Sequence, residues 1–274
     1  MPTFGIPDMS TDVFRVLELF KPYDIDLPKR KVGPIRDGGY ILADQLSSQD
    51  LISFGISNDV RFEKLLADAG HRCFLYDHTI AGLPDDHERF EWHKIGVSSS
   101  DDEADDLLSI KSHLDRIDHS ERMILKIDVE GAEWDVFSTI DDETLGRFDQ
   151  IAGEFHWLLE LGDPTFRAKV ARSMKTITRQ FTLFHVHANN CRPLGFVGGF
   201  PVADVLELSF IRTDLVTPSP STSVFPDAID RANNIEVTDH PLLFFPFLPG
   251  SSEQAAIGGM IQRVQADRHH PAGA

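Results

Sequence analysis

The chain has 274 residues, of which 41% are hydrophobic, and carries a formal charge of −18. That size and composition suit one large globular domain, or a domain with a cap, and exclude a disordered polymer. The acidic balance opposes non-specific binding to nucleic acid or to an anionic membrane, so neither is an expected partner. Part of the excess lies in residues 101–106, a run that reads as a solvated loop or helix start. Residues 1–12 contain no Lys, Arg or long apolar core, so no signal peptide is expected. The apolar stretch 241–249 is too short to span a bilayer and is interrupted by Pro246. Cys73 and Cys191 lack the Cys-x-x-Cys spacing of a structural zinc site and read as free thiols in a reducing cytoplasm.

In chain order, residues 11–20 form an amphipathic helix, with Val13, Val16, Leu17 and Phe20 at helical spacing. A loop containing Pro28, Gly33 and Pro34 leads to the turn signal Asp37-Gly38-Gly39 and a short strand at 40–42. Regular alternation follows. Strand 51–54 gives way to Gly55 and helix 60–69, strand 72–76 ends at Asp77, and a weaker strand 90–95 ends at Gly96. Helix 105–117 precedes strand 123–127, which is apolar except for Lys126 and runs into Asp128, Glu130 and Glu133 around Gly131. Short helical pieces at 135–140 and 142–147, strand 150–155, helix 164–180 and strand 182–187 complete the pattern. Residues 205–211 read as a last, antiparallel strand, and Thr217-Pro-Ser-Pro-Ser as a linker-like break. The chain beyond Ala266 reads as a frayed tail. No repeat of 20–50 residues is present, and the alternation predicts a doubly wound sheet. The expected division is an N-terminal arm at 1–45, a core at 46–215 and a C-terminal cap and tail at 216–274.

Open α/β sheets bind ligands beyond the carboxyl ends of their strands, so polar residues there are the candidate site. Asp128 is the first residue off its strand, whereas Glu133 reads as an acid favoured by the positive end of the next helix. The first strand-to-helix turn has Gly55 followed by Ser57, Asn58 and Asp59, where dinucleotide enzymes carry Gly-x-Gly-x-x-Gly. It therefore offers little amide surface to a pyrophosphate. Asp77 follows at the interval of about 20 residues at which an acid accepts hydrogen bonds from a ribose. Gly96-Val97 lets the backbone approach an adenine edge. A ribose and an adenine without phosphate point to S-adenosylmethionine in preference to NAD.

Glu154 and His156 share a face at the end of the fifth strand, and His185, His187, Asn189 and Asn190 close the sixth. Two chemistries use such a set. A divalent cation, Mg or Mn, held by Asp128, Glu154 and one imidazole lowers the pKa of a bound hydroxyl. Alternatively His156 or His187, oriented by a carboxylate, acts as general base. His185, between Phe184 and Val186, reads equally well as a core histidine. His71, His78, His87, His93, His113 and His119 read as surface residues. Phe196, Phe200, Phe244, Phe245 and Phe247 form either the core of the cap or a wall for an acceptor.

Taken together, Asp37-Gly-Gly-Tyr, Ser53-Phe-Gly-Ile-Ser-Asn-Asp-Val-Arg-Phe-Glu, Tyr76-Asp77, Leu125-Lys-Ile-Asp-Val-Glu-Gly-Ala-Glu-Trp, Glu154-Phe-His, His187-Ala-Asn-Asn and Leu206-Glu-Leu resemble the FkbM-type S-adenosylmethionine-dependent methyltransferases. The resemblance extends to Phe225-Pro-x-x-Ile-Asp-x-x-Asn-Asn and covers residues 30–240. It implies a Rossmann-like class I methyltransferase: a mostly parallel seven-stranded sheet, helices on both faces, an N-terminal arm and a C-terminal cap. It also implies methyl transfer to a hydroxyl of a sugar, glycoside or similar small polar acceptor. On this reading Asp37, Gly39, Tyr40, Gly55, Ser57, Asp59, Asp77, Gly96 and Asp128 contact the cofactor. His156, Asp128 and Glu154 are the catalytic candidates, and Asp128, Glu154 and His187 the candidate ligands of a cation. His156 stands where a metal-dependent relative would carry an acid. The Asp37-Gly-Gly-Tyr loop would close over the cofactor. A nucleotide-dependent oxidoreductase or epimerase would need a glycine-rich first turn, and a metal-dependent hydrolase would not need Gly55 with Asp77. A non-catalytic binding module would leave the strand-end acids and imidazoles idle. Homo-oligomerisation is left open.

Overall fold

The structure, a computed structural model, describes residues 9–44, 50–102 and 104–249. Residues 1–8 and the tail expected to fray beyond Ala266 lie outside the described residues. The central sheet has seven strands: β1 Asp50–Phe54, β2 Cys73–Tyr76, β3 Phe90–His93, β4 Met123–Ile127, β5 Phe148–Phe155, β6 Phe181–Ala188 and β7 Leu206–Arg212. Their order is β3-β2-β1-β4-β5-β7-β6, and only β7 runs against its neighbours. The chain winds outward from β1 to β3, then returns to lay β4 against β1. That reversal opens a crevice at the carboxyl ends of β1 and β4.

Among the described residues six α-helices accompany the sheet: α1 Met9–Leu17, α2 Arg61–Asp68, α3 Ile110–Leu114, α4 Glu133–Thr139, α5 Asp142–Leu145 and α6 Pro164–Thr178. Strands β1, β2, β4, β5 and β6 are buried at every residue, which is why they read as continuous apolar runs. Alternation along a strand sends neighbours to opposite faces. Leu125 and Ile127 pack with Trp134, Phe137 and Met174 beneath α4 and α6. Ile124 packs with Leu51, Phe62, Leu66 and Leu75 beneath α2. The edge strand β3 is part-exposed throughout, and β7 is buried except at Arg212. Pro164 opens α6 and the Asp163 carboxylate accepts from the Phe166 amide, a strong N-terminal cap.

The helix expected at 105–117 is cut to Ile110–Leu114. Ser109 caps it by accepting from the Ser112 amide, and Leu107–Leu108 instead pair with Gly96–Val97 as short parallel strands. The described members of the acidic run are exposed, as a solvated loop requires.

Two described segments outside the sheet, residues 29–43 and 221–249, fold over the strand ends. A hairpin of Lys29–Val32 and Tyr40–Ala43 carries the Asp37 loop. It is anchored where the Gln150 side chain accepts from the Ala43 amide at 2.8 Å and donates to the Ala43 carbonyl at 3.0 Å. After β7, an irregular strap over residues 221–249 buries Phe225, Leu242 and Phe247. Phe14 stacks on Phe245 at 4.6 Å with Phe200 alongside, so these aromatics belong to the cap's packing, while Phe196 is 78% exposed. A second hairpin, Leu194–Val197 with Phe200–Ala203, was not foreseen. No helix among the described residues is long and apolar enough to cross a membrane.

Replacing Gln150 by Leu strands the buried Ala43 amide and carbonyl, each costing about 1–3 kcal/mol when unsatisfied. Urea denaturation of Gln150→Leu should show a lower midpoint with an unchanged slope.

Candidate functional site

A cavity of about 710 Å³ opens at the ends of β1, β2 and β4. Gly55, Ser57, Asp59, Asp77, Gly96 and Asp128, all expected cofactor contacts, line it. Gly55 adopts φ +77°, and a Cβ there would lie 1.6 Å from the Asp128 carbonyl oxygen. Only glycine fits. The turn is clamped from β2: Asp77 Oδ2 accepts from the Ile56 amide at 2.9 Å and the Ser57 amide at 2.8 Å. Its Oδ1 accepts from the Thr79 amide and hydroxyl at 2.8 and 2.6 Å.

This corrects the role expected of Asp77. Four protein donors already occupy its carboxylate, so a ribose hydroxyl reaches it only by displacing one, and the rotatable Thr79 hydroxyl is the easiest to move. The same clamp removes two amides that a pyrophosphate would need. The turn therefore suits a nucleoside without phosphate.

The cavity also holds groups that sequence reasoning missed. Glu63, on α2, is 1% exposed and lines the cavity. Its Oε1 accepts from the Ser53 hydroxyl at 2.6 Å, while Oε2 has no partner among the described residues. An ammonium would satisfy that orphaned oxygen. Lys126 donates to the Gly55 carbonyl and stands 3.9 Å from Asp128 Oδ2. Arg36 lines the mouth together with Asp37, one of the expected cofactor contacts. A cationic amine beside Glu63 and a carboxylate near Arg36 or Lys126 match the amino-acid end of S-adenosylmethionine.

Two expected cofactor contacts are corrected. Gly39 and Tyr40 do not line the cavity. Gly39 sits against the Pro34 carbonyl, and Tyr40 is packed edge-on to Phe62. Burial, then the charges of Asp128, Glu154 and Glu207, holds the Tyr40 phenol well above its usual pKa. It stays protonated and donates to Asp128 Oδ2 at 3.0 Å. Tyr40 thus orients an acid and does not stack on a ligand.

His156 and Glu154 lie beside Asp128, behind the cavity lining. His156 Nδ1 lies 3.2 Å from Glu133 Oε1, and its backbone carbonyl accepts from the buried Trp134 indole at 2.7 Å. Glu133 also accepts from the amides of Val129 and Gly131. The acid that read as a helix-end residue is therefore also the partner of an imidazole. His156 Nε2 makes no hydrogen bond among the described residues and faces Glu130 and Glu154 at 3.6 Å and Asp128 at 4.0 Å. Burial pulls its pKa down, but the Glu133 bond and the charges of Glu133, Asp128 and Glu130 outweigh it, and the pKa is raised. Glu130 and Trp157 hold left-handed φ of 54° and 66°, and the Trp157 indole donates to the Glu130 carbonyl at 3.2 Å. Strained backbone of this kind persists where tertiary contacts over-determine it.

The acids continue across the sheet. Glu154 and Glu207 are cross-strand partners on β5 and β7. Burial, then the charges of Asp128, Glu207 and Asp37, raises the Glu154 pKa well above the carboxylate range. Asn189 Nδ2 donates to Glu154 and to Asp37, and Asn233 Nδ2 to Asp37 and to Glu207.

His187, expected to join Asp128 and Glu154 around a cation, is engaged elsewhere. Its Nδ1 meets Glu207 at 2.9 Å and its Nε2 meets Asp239 at 3.0 Å. The carboxylate and imidazole atoms that do gather within 4.8 Å are those of Asp128, Glu130 and His156, and separately of Asp37, Glu154 and Glu207. His185 Nε2 pairs with Asp230 at 2.8 Å, as a buried core histidine does.

Burial lowers the His187 pKa, but hydrogen bonds to Asp239 and Glu207 outweigh it and raise the value from 6.5 to about 10. The imidazolium's contribution to stability is fully present below 6.5 and is lost as pH rises towards 10. Wild type should therefore lose Tm across that window, and His187→Gln should begin lower and change less. Gly55→Ala should abolish binding of S-adenosylmethionine measured by calorimetry, because the turn cannot close on β4.

Residues 38–171 match the model of the methyltransferase FkbM domain. No relative is found among curated proteins. Among solved structures, the chain is similar to the N-methyltransferase NodS from Bradyrhizobium japonicum WM9 at a TM-score of 0.33 and 10% identity. That alignment covers 74% of this chain and 93% of NodS, a likeness too slight to bear on activity. Residues 38–171, just under half of the chain, thus match the FkbM methyltransferase domain.

Proposed function

We propose that the protein moves a methyl group from S-adenosylmethionine to a hydroxyl of a small polar acceptor, a sugar or glycoside. The donor supplies an activated methyl on a sulfonium, so the chain's task is to align the acceptor and remove its proton. The reading is carried by His156: Glu133 fixes its tautomer through Nδ1, leaving Nε2 unbonded beside Asp128. That is the arrangement of a general base oriented by a buried carboxylate. Tyr40 and Lys126 hold Asp128 from two sides, and Asp128 lines the cavity where the acceptor oxygen would sit. Glu63 and Lys126 would receive the donor's amino-acid end, and Gly96 its adenine. The charge of −18 favours an uncharged or cationic small acceptor over nucleic acid. The free thiols of Cys73 and Cys191 fit a reducing compartment such as the cytoplasm.

One observation favours a second reading. Asp128, Glu130 and His156 could hold a divalent cation, since their ligating atoms lie within 4.8 Å of one another. Glu133 would then serve as the outer carboxylate that metal-bound histidines usually have.

Methylation of sugar acceptors with labelled donor tests the proposal. His156→Gln should lower kcat by about 10²–10⁴-fold while leaving the Kd for the donor unchanged. Because the His156 pKa is raised, kcat should climb with pH as the imidazolium loses its proton. Glu133→Gln should move that climb to lower pH. Activity that survives EDTA supports the base; activity abolished by EDTA and restored by manganese supports the cation.

A further inference from the structure

The acids at the ends of β5 and β7 are more numerous than proton removal requires. Asp37, Glu154 and Glu207 each bring a carboxylate oxygen within 4.8 Å of the others. Glu154 and Glu207 face each other across a strand pair, where two negative charges would be destabilising, and the proton held on Glu154 relieves only that one clash, leaving Asp37 and Glu207. Little of the chain's positive charge answers them. The His187 imidazole meets Glu207 but is shared with Asp239, and His156 stops 3.6 Å short of Glu154. The remaining donors are the neutral amides of Asn189 and Asn233.

Asn233 adds an independent observation. It is 5% exposed, its side chain reaches into the acid group, and its Oδ1 has no hydrogen-bond partner among the described residues. Asn233 and Asp37 both line the cavity, so this wall is reached from the same space as Asp128. A buried oxygen without a donor, set beside surplus carboxylates, calls for a ligand that brings both hydrogens and positive charge. A hard divalent cation fits less well. It demands six or more oxygens, and here Asn189 and Asn233 already turn N–H groups toward the same carboxylates. A primary ammonium has three donors and no such demand.

We propose that the shelf formed by Asp37, Glu154, Glu207 and Asn233 receives a protonated primary amine of the acceptor. The acceptor is then an amino sugar or another aminated polyol, whose neighbouring hydroxyl is presented to Asp128 and His156. This rests on the hydroxyl-methylation reading above and narrows its substrate class.

The test is a panel of amino sugars and aminoglycosides, each paired with its N-acetylated form, assayed with labelled donor. The free amines should show a KM at least about 10-fold below that of their acetylated partners, with the methyl mapped to oxygen by mass spectrometry. Asp37→Asn, at an exposed position, should collapse that ratio towards one. Glu207→Gln should do the same, with the KM for the donor unchanged. Equal KM values within the pairs would overturn the amine and leave hydroxyl methylation standing. Methyl found on nitrogen would overturn both, as would no transfer to any member while the donor still binds. Tight manganese binding by wild type that Glu207→Gln abolishes would also overturn the amine, in favour of a cation on the shelf.

Discussion

The crowding of carboxylates at the carboxyl edge of β4, β5 and β7 is the constraint to which the surrounding structure answers. Asp128, Glu154 and Glu207 stand on neighbouring strands, the last two nearly buried. Ionised acids in such a setting are tolerated only with donors and counter-charge close by. The chain recruits them from far away in sequence. Tyr40 arrives on the N-terminal hairpin, Asn233 on the C-terminal strap, and His187 from the far edge of the sheet. The two terminal segments are thus parts of the site and not ornaments on the core.

The crevice between β1 and β4 is the second organising feature. Gly55 must pass beneath the Asp128 carbonyl, and Asp77 fixes the amides of the turn from the neighbouring strand. A turn built this way holds a nucleoside by shape and by side chains, not by wrapping a phosphate. That distinguishes it physically from dinucleotide sites on the same kind of sheet. The match of residues 38–171 to the FkbM methyltransferase domain is consistent with the distinction.

Much of the fold was legible because fully buried strands leave apolar runs that no surface segment imitates. The runs at β1, β2, β4, β5 and β6, the antiparallel β7 and the glycine ending β1 could all be placed from residue types alone. The helix at 105–117 could not, since its reading depended on whether Ser109 would cap a shorter one. The site was legible as a list and illegible as a set of pairings. Glu133 looked like a helix-end acid because sequence shows the following helix but not the imidazole across the sheet. Asp77 carries the expected carboxylate, yet its four lone-pair positions are already filled. Glu63 and Asn233 were passed over because a partnerless oxygen has no signature in one dimension.

Asp37 and Asn233 both donate walls to a single chamber although nearly the whole chain separates them. Such a contact cannot form while the polypeptide is still emerging from the ribosome, since the later half of the pair does not yet exist. A nascent chain paused after β5 would own the glycine turn and Asp128 but not the roof above them. The chamber would therefore close only once residue 233 has been made.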